Sequence, residues 1–280
     1  MRRNQSPIVV ILFGQKINTV KKISFICLLH LMCFVLHAQN FPSYNLIADT
    51  MPKRWDEAMP QGNGMLGALI WQHENKLRLS LDRADLWDER TAMDINKFNF
   101  KFVEEHVKNK NYDTVHALGD WPYDNIPYPT KLPGAAIEFN LAKLGIVKKV
   151  SLYLSTALCT IDFENGIRFN SYIHATDNTG YFGFENMDDT SLLPQLIVPE
   201  YVQKNSADKQ NIVYGQGLSS LGYEAGKVST SGNTIRYHQS TYEGHYYEIL
   251  LQWQTLHEHT VIGSWTISND QATSQPWGIR

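Results

Sequence analysis

The sequence predicts a mainly β protein: an antiparallel β-sandwich of the supersandwich type with one short amphipathic helix. Three observations lead to this prediction. Short segments alternate between apolar and polar residues, turn sequences separate these segments, and helical periodicity is confined to one stretch. Many short strands joined by turns are typical of a sandwich. The 280 residues are 43% hydrophobic, which supplies a core and excludes a disordered chain.

The strands are predicted from alternation along the chain. In residues 76–81, for example, a leucine occupies every second position, so three leucines share one face of a strand. The other segments show the same pattern or short apolar runs, and glycine-containing turns lie between several of them. Strands are predicted at residues 65–71, 76–81, 136–141, 150–154, 159–163, 167–173, 181–184, 192–198, 227–228, 234–237, 246–253 and 260–267.

One stretch has the period of a helix. Residues 98–111 place Phe98, Phe102 and Val103 on one side and charged residues elsewhere. We expect an amphipathic helix here, with Asn96 as its N-terminal cap. The following residues, 119–129, are rich in proline and aromatic side chains and are predicted to form a long loop.

The first 38 residues are predicted to be an export signal with its upstream segment. Lys21 and Lys22 precede an apolar run over residues 23–36, and Ala38 provides a small residue for cleavage. The run is shorter than the roughly 20 apolar residues of a membrane span. A buried core helix is the alternative, but no polar face marks it. We therefore expect a periplasmic or extracellular protein, free of the membrane after cleavage, whose single domain covers residues 39–280.

Charge and cysteine content exclude several functions. The chain has 25 basic and 28 acidic residues, and residues 1–38 hold five of the basic ones and no acidic one, so the remaining body has 20 against 28. An acidic body argues against nucleic acid as a partner. Cys159 is the only cysteine after residue 38, which excludes a cysteine zinc cluster, and its apolar neighbours predict a buried, inert thiol. Residues 257–259, His-Glu-His, are expected at an exposed edge rather than in a zinc site. No cofactor is expected.

Two clusters could carry chemistry. Asn63 lies between two glycines in residues 55–68, which indicates a tight turn before a strand; a phosphate loop is excluded because no Lys-Ser/Thr follows. The second cluster, residues 80–90, gathers carboxylates, an arginine and a tryptophan at a strand end. It fits sugar recognition, in which carboxylates accept hydroxyl hydrogen bonds and an indole stacks on the ring. From spacing alone, a solvated charged turn with Asp82 paired to Arg83 is favoured.

These residues resemble a known family. The pattern Trp55-x-Glu57-Ala58-x-Pro60-x-Gly62-Asn63-Gly64-x-Leu66-Gly67-Ala68, followed by Leu77-x-Leu79 and Leu81-Asp82…Leu86-Trp87, is similar to the opening of glycoside hydrolase family 95, the α-L-fucosidase-like proteins. Leu132-Pro133-Gly134-Ala135 and residues 150–157 also resemble its N-terminal domain, so the likeness covers roughly residues 44–265. The family commonly has Asn-Glu where this chain has Leu81-Asp82-Arg83, which marks a divergent branch.

The resemblance implies an N-terminal β-sandwich that is followed, in the family, by a helical linker and a catalytic (α/α) barrel. The catalytic residues of the family lie in that barrel, so no position here is assigned a catalytic role. We expect the sandwich portion of an exported exo-glycosidase that removes terminal sugars by an inverting mechanism, with a glycan substrate and a barrel supplied in cis or by a split gene. The residues expected to bind substrate are Trp55, Asn63, Asp82, Arg83, Asp85 and Trp87. The alternatives are a stand-alone secreted carbohydrate-binding module and a structural sandwich without a ligand.

Overall fold

A computed structural model of the chain describes residues 44–187, 192–202, 217–256 and 259–270. Within these ranges the backbone is mainly strand. The strands are β1 Leu46–Ala48, β2 Met59–Gly62, β3 Leu66–His73, β4 Lys76–Arg83, β5 Trp87–Asp88, β6 Thr130–Lys131, β7 Ala136–Asn140, β8 Val147–Tyr153, β9 Leu158–Phe163, β10 Arg168–Ile173, β11 Gly180–Glu185, β12 Gln195–Ile197, β13 Lys227–Ser231, β14 Thr234–Ser240, β15 Tyr246–Thr255 and β16 Val261–Asn269. The helices are α1 Phe100–Lys108, α2 Tyr112–Gly119 and the single turn α3 Leu141–Leu144, and short 3₁₀ turns lie at Trp55–Glu57, Trp121–Asp124, Leu218–Leu221 and Tyr242–Gly244.

Two large antiparallel sheets dominate the described part of the chain. The nine-stranded sheet has the order β1-β8-β9-β10-β11-β16-β15-β14-β13, and the five-stranded sheet has the order β12-β7-β4-β3-β2. Strands β5 and β6 form a separate pair. The prediction of a mainly β, antiparallel sandwich is confirmed.

The two sheets share one hydrophobic core. Phe139 of β7 packs against rings of the other sheet, with ring centroids 5.2 Å from Phe182 and 4.9 Å from Phe184. Phe169 adds a further contact to Phe184 at 5.0 Å. These rings are buried because alternate residues of β7, β10 and β11 point inward. Cys159 on β9 is also buried, as predicted, and burial raises the pKa of its thiol to about 12, which keeps it protonated.

The helix predicted at residues 98–111 is observed as α1, with a different cap, and a second helix follows it. The side chain of Asn99 accepts a hydrogen bond from the backbone N–H of Phe102 at 3.1 Å, so α1 begins after Asn99 and the predicted cap at Asn96 is wrong. Lys110 has a φ of 56°, in the left-handed region, which ends α1. Asn111 then caps α2, a helix that lies beyond the predicted range of 98–111 and that the sequence analysis did not predict.

The two longer helices belong to one excursion from the sheets. Residues 89–129 leave the β5–β6 pair at Asp88 and return at Thr130. Gly119 at the end of α2 packs closely on the ring of Phe98. A Cβ atom on residue 119 would lie only 2.5 Å from a carbon of that ring. Other side chains of α1 and α2 remain at least partly exposed. We refer to residues 89–129 as the helical excursion.

Some predictions fall outside the described residues. These are the export signal, residues 1–38, and His257-Glu258 of the histidine pair. In the portions of the chain that the structure describes, no helix has the length and apolar character needed to cross a membrane.

Candidate functional site

The glycine-flanked turn between β2 and β3 is held by the side chain of Asn63. Its oxygen accepts hydrogen bonds from the backbone N–H groups of Met65 at 3.0 Å and Leu66 at 2.8 Å. Its amide nitrogen donates to the carbonyl oxygens of His174 at 2.9 Å and Asp177 at 3.3 Å. Asn63 therefore joins a turn of the five-stranded sheet to the β10–β11 turn of the nine-stranded sheet. The amide that was predicted to bind substrate is occupied by structural contacts.

Neighbouring residues complete this joint between the sheets. Gly64 has a φ of 91°, which glycine tolerates best, and a Cβ on Gly62 would lie 3.0 Å from the carbonyl oxygen of Leu66. Gln61 is buried; its amide nitrogen donates to the Ser171 carbonyl at 2.6 Å, and its oxygen accepts from the Ser171 hydroxyl at 2.9 Å. The predicted tight turn is confirmed, and its polar side chains bind the two sheets together.

In the charged cluster at the end of β4, neighbouring side chains point to opposite faces of the strand. Arg83 points inward: its guanidinium donates to both carboxylate oxygens of Asp85, at 2.6 and 2.9 Å, and to the Ile267 carbonyl at 2.9 Å. Asp82 points outward and is paired with Lys131 at 2.7 Å. The predicted Asp82–Arg83 pair is therefore wrong, because successive residues of a strand face opposite sides. Arg83 is buried and Asp85 is partly buried, whereas half of the Asp82 side chain is exposed.

The two predicted tryptophans keep accessible surface. Trp87 is 37% exposed, and its indole nitrogen donates to the carbonyl of Ala84 at 3.0 Å. Trp55 lies in a 3₁₀ turn and is 42% exposed. Trp55, Asp82 and Trp87 are thus the predicted site residues whose side chains remain most open to solvent.

The end of this cluster forms a buried polar centre that the sequence analysis did not predict. The carboxylate of Asp88 is fully buried and accepts hydrogen bonds from the Arg90 guanidinium, the shortest at 2.6 Å, and from the Tyr223 hydroxyl at 2.5 Å. The guanidinium carbon of Arg90 lies 3.9 Å from the centre of the Tyr128 ring. Arg90 also donates to the Leu221 carbonyl at 2.7 Å. Arg90 is a near neighbour of Asp88 in the sequence, but Tyr223 lies 135 positions away, so no local motif could reveal the complete centre.

The pKa of Asp88 reflects two opposing effects. Burial raises the pKa of the carboxyl group, but the hydrogen bonds from Arg90 and Tyr223 outweigh burial and bring it below the usual value. Burial and the same hydrogen bond raise the pKa of the Tyr223 hydroxyl. Asp88 is therefore an anion at neutral pH, held by a cation and a hydroxyl, which is an arrangement for structure rather than for proton transfer.

A concave region lies on the outer face of the nine-stranded sheet. It is a groove of about 680 Å³ that crosses the strands from β9 to β14. Its lining is mixed: aromatic rings, side-chain amides, hydroxyls and one carboxylate. Side chains of the outward-facing positions in this lining are Leu158, Asn170, Tyr172, Tyr181, Glu185, Thr234, Gln252, Gln254, Ile262 and Ser264. We refer to this feature as the outer groove.

Strand register arranges the groove in two rows. In the first row, Tyr172 lies opposite Tyr181, which lies opposite Ser264, and Gln252 and Thr234 continue the row on β15 and β14. The rings of Tyr172 and Tyr181 are stacked, with centroids 5.1 Å apart and planes inclined by 20°.

The second row runs beside the first. It places Asn170, Gly183, Ile262 and Gln254 on successive strands. Asn170 donates to the carboxylate of Glu185 at 2.8 Å. None of these groove residues was predicted from the sequence, because they come from separate hairpins and become neighbours only through strand pairing.

No protein-family model matches the chain, and no curated protein is significantly similar to it. In the residues that the structure describes, no group of three or more His, Cys, Asp and Glu side chains is placed to hold a metal ion.

Proposed function

We propose that this chain is the N-terminal β-sandwich portion of an exported exo-glycosidase that resembles the α-L-fucosidases of glycoside hydrolase family 95. One observation supports this proposal most strongly: the motif that carries the resemblance serves the fold. Asn63 and Gln61 join the two sheets. Gly134, in the second motif, lies so close to β4 that a Cβ would be 2.2 Å from the Leu81 carbonyl oxygen. Residues whose contacts hold the sheets together are what a structural, non-catalytic domain of an enzyme requires.

The proposed role of this portion is not hydrolysis itself. An inverting glycosidase uses two separated carboxyl groups, an acid for the leaving oxygen and a base for water. Three of the four carboxylates in the predicted cluster have a cationic partner: Lys131 for Asp82, Arg83 for Asp85 and Arg90 for Asp88. Such pairs occupy carboxylate oxygens that a substrate would need. The chemistry in this proposal comes from a catalytic barrel, in cis or from a split gene, acting on a glycan.

Exposed apolar side chains on the helical excursion support a covering partner. Phe100 is 81% exposed, Ile95 is 61% exposed and Trp121 is 53% exposed. Trp87, which is also partly exposed, lies in the strand pair from which the excursion leaves. Large apolar side chains gathered on one excursion are typical of a surface that contacts another domain.

A hydrolysis assay tests this proposal. The purified full chain is expected to release no aryl leaving group from aryl α-L-fucosides or aryl galactosides above a heat-denatured control. Turnover that survives purification and is lost in Asp82→Asn would overturn the scaffold role. The matched control is Asp162→Asn, which removes another surface ion pair, Arg168 to Asp162 at 2.7 Å, away from the predicted cluster.

The second candidate is a stand-alone secreted carbohydrate-binding module. The outer groove favours it, because the groove is built from this chain alone and needs no catalytic partner. The two candidates differ in what covers the helical excursion: an independent module stays a soluble monomer with that surface open to water. Sedimentation of the folded full chain separates the two candidates, because only a chain that lacks its covering domain is expected to self-associate.

A further inference from the structure

We propose that the outer groove is a binding site for a neutral oligosaccharide, with Tyr172 and Tyr181 as its aromatic platform. This inference goes beyond the role of a scaffold, and it holds for either candidate function because it rests on the lining of the groove alone. The ligand would bind across the strands of the nine-stranded sheet, on the face opposite to the buried Ser171 side chain that Gln61 contacts.

The tyrosine pair supplies the apolar part of the site. The side chain of Tyr172 is 40% exposed, although its strand, β10, lies inside the sheet between β9 and β11. Its stacked partner Tyr181 is half-buried, so the two rings form one aromatic surface at the edge of the groove. A sugar presents C–H groups on the face of its ring and hydroxyls at its edge. Tyrosine suits both parts because it has an apolar ring and a polar tip.

The rest of the lining is polar and largely uncharged. Gln252, Gln254 and Ser264 place amide and hydroxyl groups along β15 and β16. An amide both donates and accepts hydrogen bonds, which is what neighbouring sugar hydroxyls require. No lysine, arginine or histidine is among the described residues that line the groove, and its one carboxylate, on Glu185, already accepts from Asn170. The lining therefore favours a neutral ligand over an anionic one.

Gly183 keeps the floor of the groove open without a structural requirement for glycine. A Cβ at this position would lie 3.4 Å from the Val261 carbonyl oxygen and 3.7 Å from Ile262, which are ordinary contacts. Gly263 differs, since a Cβ there would lie 2.1 Å from the ring of Phe182. Packing against Phe182 therefore explains the glycine at position 263. At position 183 a larger residue would fit the backbone, and the main effect of the glycine is to leave space in the groove.

The dimensions favour an oligosaccharide over a single sugar. The volume of about 680 Å³ lies within the range of roughly 300–1,000 Å³ that is usual for ligand sites. The first row, from Tyr172 to Thr234, crosses four gaps between strands. At about 4.8 Å for each gap, it extends for about 19 Å. A short chain of sugar rings can span this length and contact both the tyrosines and the glutamines.

Binding of the purified full chain to a microarray of neutral oligosaccharides tests the inference. The array carries glycans that end in galactose, glucose, mannose, xylose or fucose, with sulfated heparin fragments as anionic probes. At least one neutral oligosaccharide is expected to bind. Titration calorimetry with that glycan is expected to show that Tyr181→Ala weakens binding by about tenfold or more. Gly183→Val is expected to weaken it at least as much, because the new side chain fills the floor.

The matched control is Tyr246→Ala, which removes a tyrosine that is 39% exposed on the same sheet but outside the groove. It is expected to leave the affinity unchanged. Circular dichroism and thermal melting establish that each variant is folded, and Tyr172→Ala replaces Gly183→Val if the latter is not. The inference is overturned if no neutral glycan binds, if only the heparin fragments bind, or if folded groove variants bind as tightly as the original chain. Hydrolysis is not measured here, so such a result leaves the glycosidase proposal standing.

Discussion

Asn63 uses both ends of its side-chain amide to connect turns from different sheets. We expect Asn63→Ala to lower the free energy of unfolding by about 1–3 kcal/mol, because two backbone N–H groups and two carbonyls lose their partner. Urea denaturation measures this change. Asn178→Ala, in the exposed part of the β10–β11 turn, is the control and should change stability little. Equal stability of the two variants would show that the joint contributes nothing.

The buried carboxylate of Asp88 makes stability depend on acidity. Its pKa in the folded state lies below the unfolded value of about 3.9, so its contribution is fully present above pH 5 and is lost as the pH falls through the folded pKa. We expect the free energy of unfolding to decrease on acidification below about pH 4. Urea denaturation at a series of pH values measures it.

Asp88→Asn separates this contribution from that of other carboxylates. The amide keeps the shape but cannot titrate, so the variant should be less stable at pH 7 and should lose less stability on acidification. Asp82→Asn, whose ion pair with Lys131 is exposed, is the comparison and should follow the original chain closely. An acid dependence in Asp88→Asn equal to that of the original chain would contradict the assignment.

At the scale of elements, a loop before β7 packs directly on β4. Gly134 leaves room for the carbonyl oxygen of Leu81, only 2.2 Å from where a Cβ would be. We expect Gly134→Ala to destabilise the protein by about 1–3 kcal/mol, because β4 or the loop must move. Gly67→Ala on β3 is the matched control, since its Cβ would meet an atom only at 3.8 Å. Thermal melting compares the two, and a Gly134→Ala variant as stable as Gly67→Ala would refute the close approach.

Long alternating strands were predictable because their periodicity is local. Strand β4 was predicted at 76–81 and is observed at Lys76–Arg83, and β15 was predicted at 246–253 and is observed at Tyr246–Thr255. The short strands β1, β5 and β6 have two or three residues, too few to show a period. Their formation depends on pairing with distant partners, as when Leu46 lies opposite Leu152. Helix α2 was missed because its eight residues, Tyr112–Gly119, make only about two turns, which is too short to show a clear helical period.

At the scale of the whole molecule, a sequence cluster did not become a spatial site. Residues 80–90 are contiguous, but the strand directs Asp82 outward and Arg83 inward, and Asp88 is drawn into a buried centre with Tyr223. The outer groove is the opposite case, because its tyrosines and glutamines are far apart in sequence and are brought together by the order of strands in the sheet. Such a surface can be found only after the topology is known.

The helical excursion is the part of the molecule on which the proposed function depends most. Monomeric proteins rarely expose contiguous apolar patches beyond a few hundred Å². If a catalytic domain normally covers Phe100 and Trp121, the isolated chain should present them to water and to other copies of itself. If the chain is an independent module, these side chains should be tolerated without association.

Analytical ultracentrifugation of the folded full chain, combined with fluorescence of a hydrophobic dye, tests this account most directly. We expect the chain alone to self-associate and to bind the dye, and Trp121→Ser combined with Phe100→Ser to reduce both. Addition of the (α/α)-barrel domain of a family 95 enzyme is expected to suppress both as a mixed complex forms. A monodisperse monomer that binds no dye and does not associate with the barrel would contradict the proposal that this chain is the sandwich portion of an exo-glycosidase.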